Sequence, residues 1–146
     1  GQNIKKNWGK LLHTVLAEIH YHDQKDKVID KVYKNGNCTE KERDHLKKSV
    51  SDLLSDIHVS KYFTYKWNVK TEKEILTDMG RTYVPDRLLF GKTSDAVIII
   101  DYKTGIEKEK HVKQISDYAY ALIEMGYNNV KKILIYTSKK NKIREL

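Results

Sequence analysis

Two aspartates and a lysine carry the most readable chemistry in this chain. Asp101 and Lys103 stand two positions apart at the end of "AVIIIDYKTG", residues 96–105, and Asp86 closes "VPD", residues 84–86. Side chains two apart on a strand share a face, so Lys103 would sit beside Asp101. Asp86 and Asp101 are equidistant from a turn centred between Thr93 and Ser94, and in such a hairpin they face each other with Cβ atoms ~4.5–5.5 Å apart. Like charges so placed repel. Asp101 also ends a run, Ala96 to Ile100, that demands burial, and burying an uncompensated carboxylate is costly. A divalent cation between the two carboxylates would relieve both penalties. Two carboxylates on a hard cation, with an ammonium to orient a water and offset developing negative charge, suit phosphodiester hydrolysis. Gly105 would let the chain turn away just past the site. Spacing alone leaves a plainer reading open, in which Asp101 and Lys103 are a solvated strand end, Asp86 bridges to Arg87, or a one-residue slip separates the aspartates.

The elements that must position these residues follow from periodicity. Trp8, Leu11, Leu12, Val15, Leu16 and Ile19 draw one apolar stripe along a first helix. A shorter helix holding Val28, Ile29, Val32 and Tyr33 should stop at Asn35 and Gly36. Thr39 and Glu42 make a capping-box pattern before a third helix with the stripe Leu46, Val50, Leu53, Leu54 and Ile57. The period then shortens to that of strands. Phe63 to Leu76 reads as one strand, Gly80 as a turn, and "RTYVPDRLLF" and "AVIIIDYK" as two more joined at "GKTSD". Val112, Ile115, Ala119, Leu122 and Ile123 mark a helix closed by Gly126, and "KKILIYTS" is a last strand followed by a basic tail. The expected order is three helices, three strands, a helix and a strand, an α/β arrangement without internal repeat or low-complexity linker. The "GKT" at 91–93 lacks the glycine five residues earlier that a phosphate loop needs, since Asp86 stands there, and a strand rather than a helix follows it. It reads as the hairpin turn.

Length and charge set the outer bounds. At 146 residues the chain is expected to form one domain, residues 1–146. The formal charge of +8 points to a polyanionic partner, and 24 of the 28 basic residues are Lys, suited to tracking a phosphate backbone rather than reading base edges. Cys38 is the sole cysteine, which excludes an internal disulfide and any cysteine-ligated cluster within the chain and fits a reducing cytosol. No apolar run approaches the ~18 residues of a membrane span and the start lacks a signal-peptide core, so no membrane association is expected. Opening on Gly, the chain reads as a piece of something longer.

The string "VPDRLLFGKTSDAVIIIDYKTG", residues 84–105, resembles the core of the PD-(D/E)xK nucleases, in particular the RecB-like nuclease domain at the C-terminus of UvrD-type helicases such as RecB and AddA. "GKLLH", residues 9–13, resembles that family's N-terminal Gly and His motif. "EKEIL", residues 72–76, resembles the acidic strand entering the hairpin, and "QISDY", residues 114–118, the Gln and Tyr motif on the following helix. The resemblance implies a restriction-endonuclease-like core with a small mixed sheet flanked by helices. It implies Asp86, Asp101, His13 and the Tyr102 carbonyl as ligands of Mg²⁺ or Mn²⁺, Lys103 as the catalytic lysine, and Glu72, Gln114 and Tyr118 as further active-site residues. His13 and His20 are seven apart, which would put both on one helix face, so periodicity does not choose between them; the resemblance prefers His13. Without the family, Glu72 reads equally well as a salt-bridge partner of the many lysines, and Gln114 and Tyr118, four apart on a helix face, as a solvated pair. The implied activity is a metal-dependent deoxyribonuclease, exonuclease-like and indifferent to sequence, working in helicase-coupled DNA end repair in a bacterial cytoplasm. Its partners would be DNA, helicase domains on a parent chain and a second helicase–nuclease subunit. The alternatives are a stand-alone structure-selective endonuclease and an inactive DNA-binding module of the same fold. The branch with a four-cysteine iron–sulfur cluster is excluded by the single Cys38.

Overall fold

In a computed structural model the described residues are 2–71, 83–104, 109–138 and 142–146. They divide into two compact units, Gly1–Thr64 and Tyr65–Leu146.

The first unit is helical. Helix α1 (Gln2–Glu18) carries the expected stripe, with Leu12, Val15 and Leu16 buried and Ile19 buried just past its end. Helix α2 (Lys25–Lys34) buries Ile29 and Val32. It ends where expected, because Gly36 takes φ +75°, a region open to glycine, and lets Gly36 N donate to the Tyr33 carbonyl and Asn37 N to that of Val32. Helix α3 (Glu40–Ser55) opens on the reciprocal capping box: Glu42 N donates to Thr39 Oγ1 (3.1 Å) and Thr39 N to Glu42 Oε1 (2.9 Å). Its core face is Leu46, Val50, Leu53 and Leu54. Ile57 does not belong to that stripe. Asp56 leaves helical backbone at ψ 123°, its side chain accepts from His58 N to cap the short helix α4 (Ile57–Ser60), and Ile57 turns out to solvent, 76% exposed.

The second unit is a five-strand sheet with a helix on one face. Strands β1 (Trp67–Thr71), β2 (Arg87–Gly91), β3 (Ala96–Lys103), β4 (Asn129–Tyr136) and β5 (Ile143–Glu145) lie in chain order across the sheet. All neighbours are antiparallel except β3 and β4. Helix α5 (Glu109–Glu124) makes the crossover that a parallel pair requires. It packs Ile115, Ala119 and Leu122 onto Leu88, Val97, Ile99, Leu134 and Tyr136. Leu89, Ile98, Ile100, Ile133 and Ile135 are buried on the opposite face, which is why β3 reads as an unbroken aliphatic run rather than an alternation. Gly126, at φ +106°, closes α5 as expected, with Tyr127 N donating to the Leu122 carbonyl.

Four expectations about extent need correction. Phe63 lies in a 3₁₀ turn, Lys61–Phe63, and β1 starts only at Trp67. β2 starts at Arg87, not in the low eighties: Pro85 has no N–H to give a ladder, so residues 83–86 approach the sheet without joining it. Ile123 is 48% exposed, outside the core stripe of α5. The basic tail is not all tail, because Ile143–Glu145 pairs with β4 and Leu146 packs against the core under α5. The proposed Gly80 turn lies outside the described residues.

Candidate active site

The β2–β3 hairpin sets the site. Its paired residues run from Phe90↔Val97 to Arg87↔Ile100, the register centred between Thr93 and Ser94 that the sequence implies. One step further along the same register, Asp86 meets Asp101. At the end of β2 only a glycine fits position 91; a methyl would run into the Ser94 hydroxyl and come within 2.9 Å of the Ser94 carbonyl oxygen.

Beyond Arg87↔Ile100 the aspartate side chains take over the work of a ladder. Asp86 N donates to Asp101 Oδ1 at 3.0 Å, and Tyr102 N donates to Asp86 Oδ2 at 2.8 Å. Each carboxylate is thus fixed by a backbone N–H of the facing segment. The Tyr83 hydroxyl donates to Asp101 Oδ2. Both aspartates are buried, Asp101 at 2% exposure and Asp86 at 8%.

Burial in this setting has an electrostatic cost. The Asp101 carboxyl is pushed above the usual carboxylate range, first by burial and then by the charge of Asp86; hydrogen bonds from Tyr83 and the Asp86 N–H, and the charge of Lys103, pull the other way. Lys103 ends β3 on the same side as Asp101, half-buried, and its carbonyl accepts from Thr137 N at 3.0 Å. On the opposite face Arg87 is fully buried and Tyr102 nearly so. Burial raises the Tyr102 hydroxyl pKa, and the neighbouring Arg87 charge opposes that rise.

The expected site residues fall into three groups. Asp86, Asp101, Lys103 and the Tyr102 backbone are brought together at the hairpin. Gln114 and Tyr118 lie one turn apart on α5, both half-buried, and the Tyr118 ring stands edge-on to that of Tyr83, centroids 6.0 Å apart and planes at 81°. Tyr118 therefore packs on the ring whose hydroxyl donates to Asp101. His13 is half-buried on α1, in the other compact unit. His20 does not share its helix face, because α1 ends at Glu18; His20 N instead donates to Gln24 Oε1 at 3.1 Å. Glu72 lies outside the described residues. Tyr83 escaped the sequence reading, since strand alternation puts residues three apart on opposite faces, whereas Pro85 takes this segment out of the strand and delivers both Tyr83 and Asp86 to Asp101.

The donor set fits a hard divalent cation. Two buried carboxylates whose charges burden each other offer oxygen ligands only, and Mg²⁺ is commonly held by one or two carboxylates, with water and substrate phosphate completing its shell. Among the described residues no cluster of three His, Cys, Asp or Glu side chains comes together, so the described protein ligands would be these two carboxylates.

The family model of the PD-(D/E)XK nuclease superfamily matches residues 2–145, and the chain belongs to that superfamily. Its mixed α/β core, with Asp86 just before β2, Asp101 on the adjacent β3 and the lysine two residues on, is consistent with that fold. A search of curated proteins finds no match to the chain. No helix among the described residues is long and apolar enough to cross a membrane.

Proposed function

We propose that this chain hydrolyses DNA phosphodiester bonds with Mg²⁺ or Mn²⁺ bound at the hairpin. The observation that carries the reading is the reciprocal clasp, Asp86 N–H to Asp101 and Tyr102 N–H to Asp86, which fixes two buried carboxylates side by side. A bound cation would supply charge neutralisation at the phosphate and a more acidic water. Asp86 and Asp101 would hold it; His13 and the Tyr102 carbonyl enter as further ligands on the family resemblance alone. Lys103 orients the attacking water and offsets charge developing on the phosphate. By the same resemblance Glu72, Gln114 and Tyr118 would be further active-site residues. The lysine-rich surface holds the backbone of the nucleic acid without regard to sequence.

The biological setting we favour is trimming of DNA ends delivered by a helicase, as an exonuclease, in a bacterial cytoplasm. Residues 1–146 then act as one nuclease domain on a longer polypeptide beside helicase domains, with a second helicase–nuclease subunit as a further partner. This rests on the resemblance of "GKLLH", "VPD", "DYK" and "QISDY" to the RecB-like domains. Incubating linear and circular DNA with the protein, with and without Mg²⁺, tests it. Loss of linear DNA alone, only with metal, is expected; cutting of the circle would shift the reading to an endonuclease, and no metal-dependent loss of either would overturn it.

A further inference from the structure

Tyr83 is half-buried, and its ring is held on two sides: it packs against the apolar cluster beneath α5 and meets the Tyr118 ring edge-on. A ring so held aims its hydroxyl, and that hydroxyl donates to Asp101 Oδ2. Asp101 Oδ1 meanwhile accepts from Asp86 N at 3.0 Å. With a separate donor on each oxygen, the carboxylate cannot rotate about its last bond without breaking one of the two. Each carboxylate oxygen has a second lone pair, so both donors can stay while a cation approaches.

We propose that Tyr83 is a positioning residue for the metal-holding carboxylate Asp101: its hydroxyl fixes the rotation of that carboxylate, so that the aspartate pair is set before a divalent cation arrives. The proposal rests on the reading of Asp86 and Asp101 as the cation's holders. Donors that orient a ligating group typically matter by about 10–100-fold in metal affinity or activity.

Mn²⁺ titrated by calorimetry into the wild type, Tyr83→Phe and Asp101→Asn, with metal-free melting recorded for each, tests this. Phe keeps the ring, its burial and its edge contact with Tyr118, and removes only the hydroxyl. The expected result is Mn²⁺ affinity about 10–100-fold weaker in Tyr83→Phe and lost in Asp101→Asn. A purely structural role for Tyr83 would instead lower the metal-free melting temperature and leave affinity unchanged, overturning the proposal. So would tighter binding in Tyr83→Phe, which would make the hydroxyl a competitor of the cation. If the wild type binds no Mn²⁺, or Asp101→Asn binds as the wild type does, the metal reading itself fails and the role of Tyr83 falls with it.

Discussion

The carboxylates of Asp86 and Asp101 are each held by a backbone N–H of the facing segment rather than by each other. The N–H of Asp86 reaches the carboxylate of Asp101, and the N–H immediately after Asp101 reaches the carboxylate of Asp86. Two like charges are thereby kept adjacent by neutral donors, which lessen the repulsion without removing it, and burial magnifies what is left. The arrangement stores a demand for positive charge at one point of the hairpin.

That demand makes metal-dependent stability the first test. A ligand that binds only the native state stabilises by mass action, about 2.7 kcal/mol at a hundredfold excess over Kd. In a chain of this size each kcal/mol moves the melting temperature by about 2–4 °C. Mg²⁺ or Mn²⁺ in the millimolar range is therefore expected to raise melting by several degrees, and Asp86→Ala to abolish the rise. Calorimetric melting with and without metal decides the matter; equal shifts in both proteins would place the cation elsewhere.

Gly91 ties the hairpin turn to the register that pairs the aspartates. Gly91→Ala would drive a methyl into the Ser94 side chain and against the Ser94 carbonyl oxygen. The side chain can swing aside, but the backbone cannot, so Gly91→Ala is expected to destabilise by about 1–3 kcal/mol. Adding Ser94→Gly should recover only part of the loss. Full recovery in urea unfolding would show that the hydroxyl alone made the clash.

Much of this was legible because local signals and burial agree. The apolar stripes of α1 and α3 up to Leu54, the capping box of Thr39 and Glu42, and the glycine stops at Gly36 and Gly126 each depend on a few neighbouring residues. The hairpin register was equally readable, since "GKTSD" breaks two apolar runs at one place. What escaped depends on pairing or on broken periodicity. β5 is three residues within a basic run, and only its partner β4 makes it a strand. Ile57 fits a helical stripe that Asp56 ends. Arg87 reads as a surface charge beside Asp86, yet alternation carries it to the opposite face, fully buried near Tyr102. Tyr83 joins Asp101 because Pro85 interrupts the alternation that would have turned it away.

The basic excess predicts how nucleic acid is held. "KKILIYTSKKNKIR", residues 131–144, carries six positive charges. Lys132 covers α5, its Nζ donating to Ser116 Oγ at 3.2 Å, while Lys131 is exposed on β4. Affinity for duplex DNA should fall steeply with salt, with a log–log slope near −0.9 for each phosphate contacted, and vary little with sequence. Lys131→Ala should weaken binding evenly across sequences and lower the slope by about 1 if it contacts a phosphate. Fluorescence anisotropy across a salt series, with two unrelated duplexes, would measure both; salt-independent affinity would make the lysines mere solubilising charge.

Lys103 should be separable from the aspartates in kind. It shares their face at the end of β3, and its charge favours the ionised form of Asp101, yet as an ammonium it has no lone pair to offer a cation. Lys103→Ala is therefore expected to keep metal-dependent stabilisation and DNA binding while losing cleavage by at least ~10²-fold, the scale seen when one group stabilising a transition state is removed. Asp101→Ala should lose metal binding and cleavage together. Lys103→Arg should not restore full activity, because a planar guanidinium cannot stand in for a compact ammonium where a water must be placed. Single-turnover cleavage of linear DNA, run beside a metal titration for each variant, separates the two roles. A Lys103→Ala protein that cuts at the wild-type rate would leave the lysine as the solvated end of a strand, and the chemistry would then have to rest on the aspartates and whatever they hold.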